Sequence, residues 1–118
     1  MSEPSVVSVE RLPSAVVIHV LPAELRKSEV DAICAAIDAE QPAAAALPFI
    51  LDLSKVAFMG SLAMGVLIGL NKEFLTRGQR LIFASLQPNV LQSFRISRMN
   101  TMMEIVPDLV AAKKKAES

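Results

Sequence analysis

The sequence predicts an α/β fold in which a mixed β-sheet of about five strands packs against about four α-helices. Short apolar runs such as Phe49–Leu53 alternate with longer segments of helical periodicity, after an opening pair of strands. With 118 residues, the chain is long enough for one hydrophobic core but not for two ordinary ones. We therefore expect a single domain over residues 1–118, with a core between about residues 6 and 112.

The opening pair of strands is predicted at Val6–Glu10 and Ala15–Val20, with a turn at Leu12-Pro13-Ser14 between them. The second run is almost continuously apolar, which is typical of a strand with both faces covered. We therefore place this second strand inside the sheet.

The first helix is expected from Glu29 to about Glu40, with Ser28 as its N-cap. Its apolar stripe at helical spacing consists of Val30, Ile33, Cys34 and Ile37. Cys34 is therefore interpreted as a small core residue rather than a reactive thiol. Pro42 opposes continuation of the helix, so residues 42–48 are predicted to form a loop.

The remaining elements follow this loop. FILDL is short, apolar and rich in β-favouring residues, so Phe49–Leu53 is predicted to be a central strand. The later elements are predicted at Ser61–Arg77 (helix, with Gly78 as its C-terminal cap), Arg80–Ala84 (strand), Asn89 to about Ser97 (helix), Thr101–Val106 (strand) and from Asp108 onward (helix).

Composition and charge exclude several classes of function. The formal net charge is zero and the chain contains neither Trp nor Tyr, so it lacks the basic field and the aromatic platforms of nucleic-acid binders. One Cys and one His supply no metal-ligand cluster, and no cofactor is expected. The sequence shows no secretory signal and no apolar run of roughly 18 residues, which favours a cytoplasmic protein without membrane insertion.

The segment FMGSLAMGVL raises the question of what Ser61 does. Gly60 and Gly65 have the spacing of a phosphate-binding P-loop. However, Val66 and Leu67 stand where that loop requires Lys and then Ser or Thr. Nucleotide hydrolysis by this loop is therefore excluded.

Ser61 is not a recognisable acyl-transfer nucleophile either. A nucleophile elbow has glycine two positions before and two positions after the serine, where this chain has Met59 and Ala63. His19, the one histidine, can serve Ser61 only if a cavity holds both side chains within hydrogen-bond reach. The simplest role for Ser61 is a helix N-cap, worth about 1 kcal/mol.

The helix that begins at Ser61 has no obvious polar side in its first turns. Every residue from Leu62 to Leu70 is apolar or glycine, which is typical of a helix that is buried on both sides or binds a partner. We expect part of this patch to be exposed as an interaction site, around Leu62, Met64 and Ile68. Gly65 and Gly69 allow close approach of either a partner backbone or the domain's own sheet.

A phosphate on Ser61 would act on such an interaction. It adds about −1.5 to −2 charges at neutral pH. Free amides and the helix dipole accommodate the phosphate locally, whereas an apolar partner surface has to desolvate it. Phosphorylation of Ser61 can therefore switch off association without unfolding the domain.

The segment DLSKVAFMGSLAMGVLIGLNKEF resembles the signature of STAS domains, the sulphate-transporter and anti-sigma-factor-antagonist family. In that family a strand ending in Asp-Leu-Ser leads through a hydrophobic turn to Asp-Ser and a helix rich in Gly and Leu. RGQRLIFASLQPNVLQSF is similar to the family's fourth strand and following helix, and VIHVLPAELRKSEV to its second strand and first helix. The resemblance covers roughly Val6 to Ala112 and implies a single-domain STAS-like fold.

This resemblance implies a non-enzymatic switch, namely an anti-sigma factor antagonist that binds an anti-sigma factor which is also a serine kinase. Ser61 falls at the family's phosphorylated serine, and phosphorylation there releases the antagonist until a phosphatase resets it. The partner-binding residues that the resemblance implies are Ala23, Glu24, Leu25, Arg26, Gly60, Leu62 and Met64.

Two positions depart from the family's pattern. Gly60 stands where an acidic residue usually precedes the phosphorylated serine, and Ala23–Arg26 stands where the family has Gly-x-Leu-Asp, so that Arg26 replaces an acid. Arg26 either stabilises a phosphoserine or selects an acidic partner. The loss of the acid at Gly60 favours an alternative role as a scaffold subunit, in a stress-signalling or lipid-transport ATPase complex, without a phosphorylation switch.

A third hypothesis is an enzyme or small-ligand binder that uses Ser61 with His19. Three further serines are alternative modification sites or ordinary turn and surface hydroxyls, namely Ser54, Ser85 and Ser93. The sequence leaves the oligomeric state open.

Overall fold

The elements of the fold follow the predicted order. The computed structural model describes residues 6–44, 46–96 and 102–117. The strands in these ranges are β1 (Val7–Arg11), β2 (Val16–Val20), β3 (Glu24–Leu25), β4 (Phe49–Asp52), β5 (Phe58–Met59), β6 (Leu81–Ala84) and β7 (Glu104–Val106). The helices are α1 (Lys27–Ala44), α2 (Ser61–Thr76), α3 (Pro88–Ile96) and α4 (Leu109–Glu117). The predicted bounds at Ser97 and Thr101 lie outside the described residues.

Five of the strands form one mixed sheet in the order β1-β2-β4-β6-β7. Strand β1 is antiparallel to β2, and the other neighbours are parallel. The prediction of an α/β fold with a mixed five-stranded sheet and four helices is thereby confirmed. The interior position predicted for the second strand is also confirmed, because β2 lies between β1 and β4.

Helices cover both faces of this sheet. Along β2, Val16 and Ile18 point into a core formed with α1, α2 and α3, whereas Val17 points into a smaller core formed with α4. This alternation follows from the period of two along a strand. Since both faces are covered, β4 and β6 are buried at every position.

A second, two-stranded sheet was not predicted. Strands β3 and β5 pair in parallel, with Glu24 opposite Phe58 and Leu25 opposite Met59. Two residues are too few to show a hydrophobic alternation, so the sequence carries no recognisable signal for either strand. The pair nevertheless positions the start of α2, which begins two residues after β5.

The prediction that residues 42–48 form a loop is wrong in part, because α1 continues through Pro42 to Ala44. Pro42 removes one backbone donor, but it lies in the last turn of the helix, and Ala44 is buried. Gln79, itself buried, donates its side-chain amide to the carbonyls of Ala44 at 3.3 Å and Leu47 at 2.9 Å. A contact distant in sequence therefore satisfies the end of this helix.

The predicted N-cap at Ser28 is also wrong, because α1 begins at Lys27, two residues before the predicted Glu29, and Ser28 lies within its first turn. Glu29 accepts the backbone N–H of Arg26 at 2.7 Å and the hydroxyl of Ser28 at 2.9 Å. A carboxylate in the third helical position that binds the residue before the helix is one half of a capping box. These hydrogen bonds lower the pKa of Glu29, with the Arg26 amide as the largest cause.

Candidate functional site

The site is built where β3 and β5 meet the start of α2. The Ala23 carbonyl accepts the backbone N–H groups of Ala57 at 2.7 Å and Phe58 at 3.0 Å, and the Leu25 carbonyl accepts that of Gly60 at 3.1 Å. These bonds bring residues 23–26, which are far from Ser61 in the sequence, against the segment that leads into α2. The two stretches that the family resemblance implicates therefore lie side by side.

Side chains of this region divide into an inner and an outer set. Leu25 is fully buried and Met59 nearly so, whereas their strand neighbours Glu24 and Phe58 point outward. Leu25 therefore supports the surface from below and is not itself available to a partner. Met64 is half-buried and packs against the core, so only part of it reaches the surface.

Two large apolar side chains are exposed on either side of Ser61 in the chain. Phe58 is 57% exposed and Leu62 is 72% exposed. Ser61 itself is exposed. We call Phe58, Ser61 and Leu62, together with Glu24 and Arg26, the Ser61 surface. The sequence interpretation missed Phe58, because its outward position follows from the pairing of β5 with β3, for which the sequence carries no local signal.

The expectation that the Ser61 hydroxyl caps α2 is wrong. The N-cap is Gly60, with φ −69° and ψ 159°, and no side-chain cap hydrogen bond forms. Ser61 is the first residue of the helix, one position too late to cap it. The hydroxyl is thus not required to start α2.

Neither the backbone conformation nor crowding requires a glycine at position 60. Its backbone has an extended conformation that any residue adopts. A Cβ placed on it would lie 3.9 Å from the Leu25 carbonyl oxygen, which is ordinary van der Waals contact. The backbone at this position therefore accepts a Cβ without a steric clash.

Two cations lie close to Ser61. Arg26 and Lys27 line a shallow depression of about 260 Å³ together with Ser61 and Leu62. The Arg26 guanidinium is paired with Glu24 at 3.1 Å, and the Lys27 ammonium with Asp31 at 2.9 Å. Because these pairs are exposed, each contributes little to stability, and an anion can compete for either cation.

Ser61 and His19 are not brought together. The His19 side chain binds Asp52 and Glu10, and it points to the sheet face that α4 covers, whereas α2 packs on the other face. The hypothesis of a Ser61–His19 enzyme therefore finds no support in the geometry. Within the described ranges, no cluster of three or more His, Cys, Asp or Glu side chains is arranged to hold a metal ion, and no helix is long and apolar enough to cross a membrane.

The exposed glycines of α2 lead to a stability prediction. Apart from its chain neighbours and the nearby backbone of α2 itself, no atom of the described residues lies within 4 Å of a Cβ placed on Gly69. We expect Gly69→Ala to raise the free energy of unfolding by about 0.8–1 kcal/mol, because alanine has the higher helix propensity. Gly78→Ala is the matched control, since Gly78 has a positive φ of 68° and should lose stability on substitution. Urea unfolding of both variants measures the change in the free energy of unfolding, which should be positive for Gly69→Ala and negative for Gly78→Ala. A destabilised Gly69→Ala would contradict the conclusion that this face of α2 is open.

Comparison with known proteins identifies the family of this chain. The STAS domain family profile matches residues 7–112 of the chain. No curated protein sequence matches the chain significantly.

Three solved structures illustrate the shared fold. A STAS domain protein described as an anti-sigma-factor antagonist, from Planctomyces limnophilus, has a TM-score of 0.80 at 22% identity, over 95% of this chain and 98% of its own. An anti-sigma factor antagonist from Mycobacterium paratuberculosis has a TM-score of 0.79 at 20% identity, over 95% of this chain and 93% of its own. The phosphorylated form of the Bacillus cell fate determinant SpoIIAA has a TM-score of 0.68 at 23% identity, over 92% of this chain and 97% of its own. Because the family profile spans most of the sequence and the fold is the same, the chain belongs to the STAS domain family.

Proposed function

We propose that this protein is an anti-sigma factor antagonist that binds a kinase-type anti-sigma factor through the Ser61 surface and is released when Ser61 is phosphorylated. Family membership supports the class of protein, since solved relatives with this fold are described as anti-sigma factor antagonists. The observation that carries the proposal is the exposure of Ser61 between the exposed side chains of Phe58 and Leu62. A hydroxyl in that position is accessible to a kinase and lies where an apolar partner would bind.

The local structure accommodates a phosphate on Ser61. Because Gly60 leaves the first turn of α2 without a side-chain cap, backbone amides at the helix N-terminus are available to a phosphate oxygen. The fold therefore tolerates the modification. A partner that covers Phe58 and Leu62 would have to desolvate a dianion, which costs far more than an apolar contact contributes.

The proposed division of labour assigns no catalysis to this chain. The kinase partner supplies the nucleotide site, which agrees with the absence of the P-loop lysine after Gly65. A phosphatase restores the binding form. The proposed partners are therefore proteins, and the place of action is the bacterial cytoplasm, where anti-sigma factors act.

A scaffold subunit is the second candidate, and Gly60 favours it. The family's acid is missing there, although a Cβ at this position meets no steric clash. In a scaffold, the Ser61 surface is a constitutive contact within a stress-signalling or lipid-transport ATPase complex. Such a contact does not depend on a phosphate.

A pull-down with three baits separates the two candidates. Wild-type, Ser61→Ala and Ser61→Asp proteins are incubated with native cytoplasmic extract, and the captured proteins are identified by mass spectrometry. We expect the antagonist's partner to be retained by Ser61→Ala and lost from Ser61→Asp. Equal capture by all three baits supports the scaffold.

Phosphate incorporation tests the switch residue directly. With the captured kinase and ATP, incorporation should disappear in Ser61→Ala and persist in Ser54→Ala, whose serine lies exposed in the turn after β4. Unchanged incorporation in Ser61→Ala removes Ser61 from the proposal.

A further inference from the structure

A cluster of titratable side chains lies on the face of the five-stranded sheet opposite to the one on which α2 packs. His19, on β2, is flanked by β1 and β4. Its Nδ1 lies 2.7 Å from an Asp52 carboxylate oxygen, and its Nε2 lies 3.0 Å from a Glu10 carboxylate oxygen. Asp52 also accepts the backbone N–H of Ser54 at 3.1 Å. One imidazole thus bridges the carboxylates of two neighbouring strands.

This geometry determines the protonation of the ring. An ionised carboxylate only accepts hydrogen bonds, so each ring nitrogen must carry a proton to bind its partner. A neutral imidazole has a single N–H and can satisfy one carboxylate, not both. Both hydrogen bonds therefore exist together only when His19 is an imidazolium.

The surrounding charges favour the same state. Partial burial acts to lower the pKa of His19, but the hydrogen bonds to Asp52 and Glu10 outweigh it and raise the pKa above the ordinary value of 6.5. The pKa of Glu10 is lowered, mainly by its hydrogen bond to His19 and further by Lys113 of α4. For Asp52, burial opposes ionisation, but the bonds from His19 and Ser54 lower the pKa overall.

The two carboxylates differ in what they do when the proton is lost. The Asp52 side chain is 11% exposed and makes the shorter bond, whereas that of Glu10 is 43% exposed. A neutral His19 keeps its remaining N–H on Asp52, because an unpaired carboxylate is most costly where it is most buried. Glu10 is then released to water.

We propose that His19 is an imidazolium clamp that holds edge strand β1 to the sheet, and that loss of its proton releases Glu10 and loosens β1. Strand β1 is an edge of the five-stranded sheet and pairs with β2 alone. Arg11 ties β1 to Glu40 of α1, and Val7 and Val9 pack against the core on that same face, so the Glu10–His19 bond is what holds the face of β1 that is turned toward α4. The direction of the pH dependence of stability follows from the raised pKa of His19. As long as both carboxylates are ionised, the clamp contributes fully below pH 6.5, and its contribution is lost as the pH rises through the folded-state pKa of His19.

A histidine titration by NMR tests the clamp without assignment problems, since the chain contains one histidine. We expect ring ¹⁵N shifts of an imidazolium at pH 6.5 and a titration midpoint above 6.5, which Glu10→Gln moves downward. Arg11→Gln is the matched control, because Arg11 follows Glu10 on β1 but pairs with Glu40. A midpoint at or below 6.5, or one that Glu10→Gln leaves unchanged, overturns the clamp.

The loosening of β1 is measured by hydrogen exchange. Protection factors of the β1 amides, corrected for the intrinsic pH dependence of exchange, should fall in the wild type as His19 deprotonates. They should stay constant with pH in Glu10→Gln, where the clamp is absent throughout. Protection of β1 in the wild type that does not change across the His19 titration contradicts the release.

Discussion

Replacement of Phe74 by alanine is expected to lower the free energy of unfolding by about 3–5 kcal/mol, the largest stability loss that we predict for a single side chain of α2. Phe74 is fully buried, and its ring meets that of Phe49 edge-on, with 5.6 Å between the centroids. The substitution therefore leaves a cavity between α2 and β4 and also removes the aromatic contact. Urea unfolding followed by circular dichroism measures the loss.

Leu75→Ala is the matched control, because Leu75 is adjacent in α2 and 54% exposed. Its effect should stay within about 0.5 kcal/mol. Equal losses in the two variants would contradict the placement of Phe74 in the core. Because the loss of Phe74 lowers the folded fraction, it should also weaken partner binding under conditions where part of the protein is unfolded.

Leu62→Asp is expected to weaken the binding of the proposed partner at least tenfold, a cost of about 1.4 kcal/mol or more. The Leu62 side chain is 72% exposed and lies next to Ser61, so a partner on this surface buries it. The substitution introduces a charge that the interface must desolvate. The fold should be unaffected, since an acidic residue in the first turn of a helix is favourable.

Leu75→Asp provides the comparison for this prediction. Leu75 is the other strongly exposed leucine of α2 but lies in its last turn, away from the Ser61 surface. Titration calorimetry with the partner captured by the wild-type bait should show a loss for Leu62→Asp and none for Leu75→Asp. Equal affinities of Leu62→Asp and the wild type would place the partner on another face of the domain.

Long elements were predicted well because they repeat one pattern over many residues. The stripe of Val30, Ile33 and Ile37 on α1 is buried as expected. The half-buried Cys34 packs against the same core, where burial and nearby carboxylates raise its pKa and keep it a thiol. Gly78 ends α2 with a positive φ of 68°, as its position after the last helical residue predicts.

The starts of α1 and α2 are predicted less well, because the local preference of serine for N-caps points to Ser28 and Ser61. For α1 the cap contact comes from Glu29, whose carboxylate reaches back to the amide of Arg26. For α2 the hydrogen bonds of β3 with β5 position Gly60, and the helix begins without a side-chain cap. The local preference of serine for N-caps was overridden by contacts that a single segment of sequence does not contain.

The sequence by itself determined the α/β class, the order of the long elements, the family and the candidate switch residue, Ser61. Each of these depends on a local pattern or on a contiguous motif. Only the tertiary structure decided which side chains around Ser61 are exposed. It buries Leu25, leaves Phe58 and Leu62 outside, and places Arg26 beside Ser61. The bridge from Glu10 through His19 to Asp52 likewise joins three strands. Such arrangements depend on strand pairing between distant segments, and pairing is decided by the packing of the whole sheet rather than by any one stretch of chain.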